Sequence, residues 1–501
     1  MKEQHFDVII VGAGVSGVGA GCHLTMNAKK KNFAILERRK DMGGTWDLFR
    51  YPGIRSDSDM YTFGYAFRPW QGTKVLADGP AIKQYVIDTA KEYGVDKKIR
   101  FGRKVVHSSW STERGLWTIN VLNEETDKEE VYTADFIINA SGYYNYDKGY
   151  KPEFAGEKSF KGDIIHPQHW PKDLDYSGKK VVIIGSGATA ITLVPAMAGK
   201  AEHVTMLQRS PTYIVSIPSN DEMSAGMNRF LPKGIVYLIA RARNIFMQRF
   251  FFWIAQQRPS AIRRLILQGV KKHMGENFDM KHFTPNYNPW EQRICVVPDG
   301  DLFNVVRDGQ ASIVTEHIDT FTEKGIKLKN GQELEADIIV TATGLDVRLL
   351  GGCTVDIDGE MLDVGTKLTY KGVLAQDVPN AAIIFGYTNA SWTLKVDIAC
   401  EYLCRLFNYM DGKGYTYVIP KDYEGCATDE SVMGLASGYL QRAKKRMPKQ
   451  GTKAPWRVNN DYMGDVPVLK FAPINDGILE FAKPSELKQR TPLKVLQPTG
   501  S

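Results

Sequence analysis

Cysteine is scarce. Six residues in a chain of 501 are too few and too scattered for the disulfide framework of a small secreted scaffold. No uninterrupted run of 18 or more apolar residues occurs, so no segment reads as a membrane-spanning helix. Tandem repeats and low-complexity blocks are lacking, and His166, His169, His203 and His317 show no metal-ligand spacing, so no metal is expected. Met1–Gly21 joins a lysine to an apolar run, but Asp7 directly precedes that run. The segment reads as a buried strand entering a glycine turn rather than as a signal peptide, and a cytoplasmic location is expected. What remains is ordinary globular composition, 43% hydrophobic and 24% charged. It excludes disorder and collagen-like structure, and the length predicts about two to four domains.

Charge is also nearly balanced outside one region. The net +7 comes from 64 Lys+Arg against 57 Asp+Glu, yet Ser224–Gly275 alone holds ten Lys/Arg and no Asp or Glu, leaving 54 basic residues elsewhere. A charge so local gives no support to a nucleic-acid partner and points to attraction of an anionic cofactor. The alternative is weak peripheral membrane contact through 224–275, because basic residues interleaved with aromatics suit anionic headgroups. Apolar runs at 235–240 and 250–254 make this segment read as helices inserted between strands.

Two glycine turns carry the strongest signal. The β-branched run Val8-Ile9-Ile10-Val11 leads into Gly12-Ala13-Gly14-Val15-Ser16-Gly17, followed by a helix-compatible stretch over 18–26. In such a G-x-G-x-x-G turn the glycines serve a tight turn, close approach to pyrophosphate and close helix–strand packing. The following helix offers its free N–H groups to phosphate. A second strand, Phe33-Ala34-Ile35-Leu36, ends at Glu37, about 20 residues past the last glycine, where an acid accepts hydrogen bonds from ribose hydroxyls and repels a 2′-phosphate. The pattern recurs at Lys180–Ile184 and Gly185-Ser186-Gly187-Ala188-Thr189-Ala190. Its next strand, 203–207, ends in Gln208-Arg209-Ser210 instead of an acid. Arg209 and Ser210 suit a 2′-phosphate, since guanidinium binds phosphate oxygens bidentately.

These two turns predict an α/β protein with two Rossmann-like dinucleotide-binding domains, one for FAD and one for NADPH. The strands 136–142 and 336–344 resemble each other, both ending in small residues and a glycine, Gly142 and Gly344, which places the second domain as an insertion in the first. The expected boundaries are 1–145 and 331–483 for the FAD domain, 146–222 and 286–330 for the NADPH domain, 223–285 for a helical insertion and 484–501 for a loose tail.

Between the turns lies Phe160-Lys161-Gly162-Asp163-Ile164-Ile165-His166-Pro167-Gln168-His169-Trp170-Pro171. Phe160, Gly162, His166, Trp170 and Pro171 resemble the fingerprint of the Baeyer–Villiger flavin monooxygenases. The resemblance runs nearly the whole chain. Gly43-Gly44-Thr45-Trp46, Arg50–Asp57, Tyr287–Arg293 and Gly386–Leu394 look most like the bacterial ethionamide-activating branch of that family.

The resemblance implies a chemistry: NADPH reduces the flavin, O2 adds to it, and a C4a-peroxyflavin attacks a ketone to give an ester or lactone. The same oxygen donor, protonated, oxygenates sulfides or thioamides. Arg293 matches the family's catalytic arginine, a fixed cation beside the developing negative charge. Asp57 matches the acid that orients it, with Asp59 the competing position. Gly44, Thr45 and Trp46, together with Asp57, fall at the flavin. Many family members have lysine just before the arginine, whereas this chain has Gln292, which leaves Arg209 and Ser210 as the main contacts to the 2′-phosphate. A dedicated S- or N-oxygenating monooxygenase is the alternative, and an NADPH-binding redox sensor a further one. No C-x-x-C stands beside either turn, which argues against a disulfide reductase, and Cys400 and Cys404 at i, i+4 read as core.

Overall fold

The computed structural model describes residues 4–72, 74–434 and 437–487. Its first sheet grows around the strand Gln4–Val11, whose Val8-Ile9-Ile10 are almost fully buried. This strand pairs in parallel with Phe33–Leu36 on one side and Lys128–Asn139 on the other. Strands buried on both faces must be continuously apolar, and these runs are. Beyond Lys128–Asn139 the sheet turns antiparallel through Leu116–Asn123 and Arg103–Ser111.

The chain leaves this sheet at Asn139 and returns at Thr354–Ile357, parallel to Arg103–Ser111, and at Ala381–Ile383, parallel to Lys128–Asn139. Between exit and return it builds a second sheet of five parallel strands. Their order is Ala311–Thr315, His203–Gln208, Lys180–Ile184, Ile338–Thr341, Asp163–Ile165. The second dinucleotide-type domain is thus inserted in the first.

One boundary is corrected. Ile338–Thr341, expected in the returning part of the first domain, runs in the second sheet instead, hydrogen-bonded on both sides. All four of its residues are buried, as a strand central to a parallel sheet requires, and its likeness to Lys128–Asn139 reflects that same central place in its own sheet.

The segment rich in cations forms the helices Glu222–Met227, Lys233–Gln257 and Pro259–Met274. The long helix is fastened to the first domain: the buried Arg241 donates to the carbonyls of Tyr61 and Gly64, both at 2.7 Å, and lies 3.6 Å from Asp397. One of the ten cations therefore has a structural task. The expected tail is corrected too. Pro484–Leu487 is helical, and Leu487 is buried against the first domain, close beside Gly115; residues 488–501 lie outside the described residues. Among the described residues no helix is long and apolar enough to cross a membrane.

Candidate active site

The two glycine turns face one cavity of about 1540 Å³. On the first side it is lined by Gly12, Gly14, Ser16, Glu37, Gly44, Thr45 and Trp46. Gly12 has φ +99°, and a Cβ there would stand 2.9 Å from the carbonyl oxygen of Ala140. Gly17 is the one expected binder that does not reach the cavity: its Cβ would fall 1.8 Å from the Gly12 oxygen, so its task is to let the helix Val15–Asn27 close onto its strand. The Glu37 carboxylate accepts from the backbone N–H groups of Ala13 and Arg39, both at 2.7 Å. Burial nevertheless pushes its pKa above the ordinary value, outweighing those two bonds. Ser16 accepts a hydrogen bond from the indole of Trp392 at 2.8 Å, which ties the first turn to the returning part of the domain.

Across the cavity stand Gly185, Ser186, Gly187, Ala188 and Thr189, with Arg209, Ser210 and Gly344. A Cβ on Gly185 would meet the Ala342 oxygen at 2.4 Å, whereas one on Gly187 would meet nothing within 4 Å. Space is therefore left open in front of Gly187. The Ser186 hydroxyl donates to the Ser210 carbonyl at 2.9 Å, holding the loop that carries Arg209 beside the turn. Arg209 is exposed and makes no ion pair among the described residues, so its guanidinium is uncommitted.

Arg293 lines the same cavity. It follows Trp290, held at φ +67°, and precedes the strand Cys295–Pro298. Its Nη1 is 4.0 Å from Asp57 Oδ2, and its Nε is enclosed without a hydrogen-bond partner. Desolvation pulls the guanidinium pKa down, but the phenols of Tyr143, Tyr439 and Tyr144 together with Asp57 raise it by more. The charge is permanent. Those phenols are held neutral in turn: burial pushes Tyr144 up to about 12 and raises Tyr143 and Tyr439 further. Tyr143 stacks on Tyr439 at 6.4 Å and meets Tyr144 edge-on at 4.6 Å. This aromatic wall was missed in the sequence, although the pair Tyr143-Tyr144 directly after Gly142 was its visible trace.

Asp57 and Asp59 separate clearly in space. Asp59 caps the short helix Met60–Phe63 by accepting from the Thr62 N–H at 3.0 Å, and it also accepts from Asn244 at 2.8 Å and Gln248 at 2.9 Å. It is committed to joining the insertion helix to the first domain. Asp57 reaches Arg293.

The residues of the fingerprint line none of this cavity. Phe160 is buried in the cluster that includes Val182, Ile184 and Leu207, and a Cβ on Gly162 would stand 2.1 Å from the Asp337 oxygen. Trp170 packs on the core of the second domain and Pro171 follows at the surface. The His166 ring lies so close to Gly149 that a Cβ there would overlap it. Burial lowers the His166 pKa, so it is neutral in the folded chain. A histidine depressed in the folded state takes up its proton on unfolding, so its contribution to stability is present above the unfolded value near 6.5 and lost as pH falls below that through the lower folded value. His166→Gln is expected to flatten that acid limb, read as Tm measured across pH 5–8 against the parent.

Two dinucleotide-type turns facing one cavity, an acid closing one and an arginine closing the other, define the class of a two-dinucleotide flavoenzyme. The comparisons specify it. Residues 75–349 match the model of the flavin-binding monooxygenase-like family and residues 10–78 that of an NAD(P)-binding Rossmann-like domain. The chain belongs to the flavin-binding monooxygenase-like family, and it is an enzyme.

It is 55% identical over 485 residues to the putative FAD-containing monooxygenase MymA of Mycobacterium tuberculosis, covering 96% of this chain and 98% of that one. Identity is 53% over 490 residues to the probable FAD-binding monooxygenase AlmA of Acinetobacter baylyi, covering 97% and 98%. It is 50% over 482 residues to the FAD-containing monooxygenase EthA of Mycobacterium tuberculosis, covering 96% and 98%. The fold matches that of an oxidized steroid monooxygenase bound to NADP, with a TM-score of 0.76 at 21% identity over 96% of this chain and all of the other. A cyclohexanone monooxygenase in an open crystal structure gives 0.73 at 21% identity.

Proposed function

We propose that this enzyme is an FAD- and NADPH-dependent Baeyer–Villiger monooxygenase that converts ketones to esters or lactones and also oxygenates sulfides or thioamides. The observation that carries the reading is the Arg293 guanidinium, permanently charged and with an unpartnered Nε, lining the cavity that both glycine turns face. The groups present fit both cofactors. Gly12, Gly14, Ser16, Glu37, Gly44, Thr45 and Trp46 would hold FAD, with Glu37 accepting from a ribose. Gly185 through Thr189, Arg209 and Ser210 would hold NADPH, with the open space before Gly187 admitting a pyrophosphate and Arg209 meeting the 2′-phosphate. When bound and reduced, the flavin supplies the activated oxygen.

The residues of the chain do the rest. Arg293 places a fixed positive charge where a carbonyl oxygen gains negative charge on attack. Asp57 at 4.0 Å is close enough to orient that guanidinium yet too far for a tight ion pair, so it leaves most of the charge available. Tyr143, Tyr144 and Tyr439, neutral at working pH, exclude water without adding a competing anion. Gln292 lines the cavity and carries no charge, so recognition of the 2′-phosphate rests on Arg209.

Turnover of NADPH across a panel of ketones and sulfides, with products identified, tests the proposal. An ester from any ketone supports it. Ready sulfide oxidation with no ester across the panel would replace it by a dedicated S-oxygenase. For Arg209→Ala the expected result is a rise of about tenfold to a hundredfold in the KM for NADPH, the scale of charge-assisted hydrogen bonds lost. The KM for NADH should stay nearly constant, and equal rises for both nucleotides would remove Arg209 from the phosphate.

A further inference from the structure

The helix Lys233–Gln257 has two faces of opposite character. Tyr237 and Arg241 are buried against the first domain, and Asn244 and Gln248 continue that face toward Asp59. The other face carries Leu238, Phe246, Phe250 and Trp253, exposed by 64, 58, 40 and 57%. Phe246 stacks on Phe250 at 6.0 Å and Phe250 on Trp253 at 6.4 Å, giving a continuous aromatic ridge. Of 17 exposed large apolar side chains among the described residues, 12 fall between Met223 and Leu265. Single exposed apolar residues need no explanation, but a concentration of this kind marks a contact surface.

The charge around the ridge selects its occupant. Arg229, Lys233, Arg258, Arg264 and Lys272 are exposed and make no ion pair among the described residues, and Ser224–Gly275 contains no acid to balance them. A second copy docking through the same face would bring these cations together, which is unfavourable. An anionic bilayer satisfies both features at once, taking the aromatic ridge into its interfacial zone and the cations against its headgroups.

The same helices also reach the cavity. Met247, Phe251 and Leu265 line it and are themselves 39, 39 and 56% exposed, so its rim is continuous with the ridge. We propose that this face docks on an anionic lipid bilayer and that the cavity opens at that surface. With the oxygenase reading above, on which this last clause rests, the preferred substrates are then ketones or sulfides that partition into the bilayer.

The test uses the holoenzyme with vesicles of phosphatidylcholine alone and of phosphatidylcholine mixed with phosphatidylglycerol. Its comparison is the triple variant Leu238→Ser, Phe246→Ser and Phe250→Ser, whose positions are exposed and lie off the cavity. The parent is expected to sediment with the anionic vesicles and to be released by salt. The triple variant should lose about tenfold in partitioning, with oxidation of a short, water-soluble ketone unchanged. A long-chain ketone carried in the anionic vesicles should be turned over faster by the parent than by the variant.

Docking is overturned if the parent stays in the supernatant, if the variant binds equally well, or if light scattering shows a parent dimer that the substitutions dissolve. Equal rates on the vesicle-borne ketone would overturn the substrate clause alone. If neither protein makes an ester from either ketone while their vesicle binding still differs, the oxygenase reading fails and the docking surface stands.

Discussion

Arg293→Ala is expected to be reduced by NADPH at close to the parental rate and to lose ester formation by about 10²–10³-fold, the cost of removing one preorganised group that stabilises developing charge. The two half-reactions separate because the groups assigned to them are separate. On the proposed reading Arg209 and the turn at 185–189 hold the nucleotide, while Arg293 lines the cavity beside Asp57 and the tyrosine wall. With its Nε unpartnered and its carboxylate contact, to Asp57, as long as 4.0 Å, the guanidinium is held loosely, so its removal should leave stability nearly intact. Arg293→Lys should recover only a small part of the rate, because an ammonium is a mobile point charge that burial can neutralise. Stopped-flow reduction alongside product quantitation reads both effects. Parental ester yield in Arg293→Ala would remove the arginine from the chemistry.

The second large effect sets two glycines against each other. Gly17→Ala would drive a Cβ to 1.8 Å from the Gly12 carbonyl oxygen, a backbone collision that no rotamer relieves. The expected result is loss of about 3 kcal/mol or more of stability, with the protein purified colourless because the first turn no longer holds its shape. Gly187→Ala has the opposite profile. A Cβ there meets nothing within 4 Å, and φ is −83°, so folding and flavin content should be parental while the methyl intrudes on the space left for pyrophosphate. The apparent KM for NADPH should rise by tenfold or more, with Tm within a degree or two of the parent. Parental NADPH kinetics in Gly187→Ala would show that the open space is not where the nucleotide lies.

The legible part of the fold was the part written locally. Val8-Ile9-Ile10 before Gly12, and Val181-Val182-Ile183 before Gly185, are strands buried on both faces, and such strands are apolar at every position. The glycine spacing, Glu37 and Arg209 sit at fixed offsets from those strands, so the sequence displayed them in order. Ile338–Thr341 was misplaced because a buried parallel strand reads alike in either sheet; only hydrogen-bonded neighbours assign it. The fingerprint Phe160–Pro171 was visible as a pattern, yet its position away from the cavity was not, since a motif records which residues occur and not where they point. The segment from Leu238 to Trp253 read as inserted helix, but which of its faces lies bare was not legible, as apolar periodicity marks one face without saying what covers it.

The sequence by itself determined two dinucleotide turns, the acid and the arginine that distinguish them, the concentration of positive charge in 224–275 and the family to which the chain belongs. Each of these is carried by residues close in the chain or by likeness to other chains. Tertiary structure alone decided what occupies Asp59, that Tyr143, Tyr144 and Tyr439 stand against Arg293, that Gly187 fronts open space, and which face of the long helix is left bare. Those facts depend on the distance and burial of groups brought together from remote parts of the chain, and such quantities exist only once the chain has closed on itself.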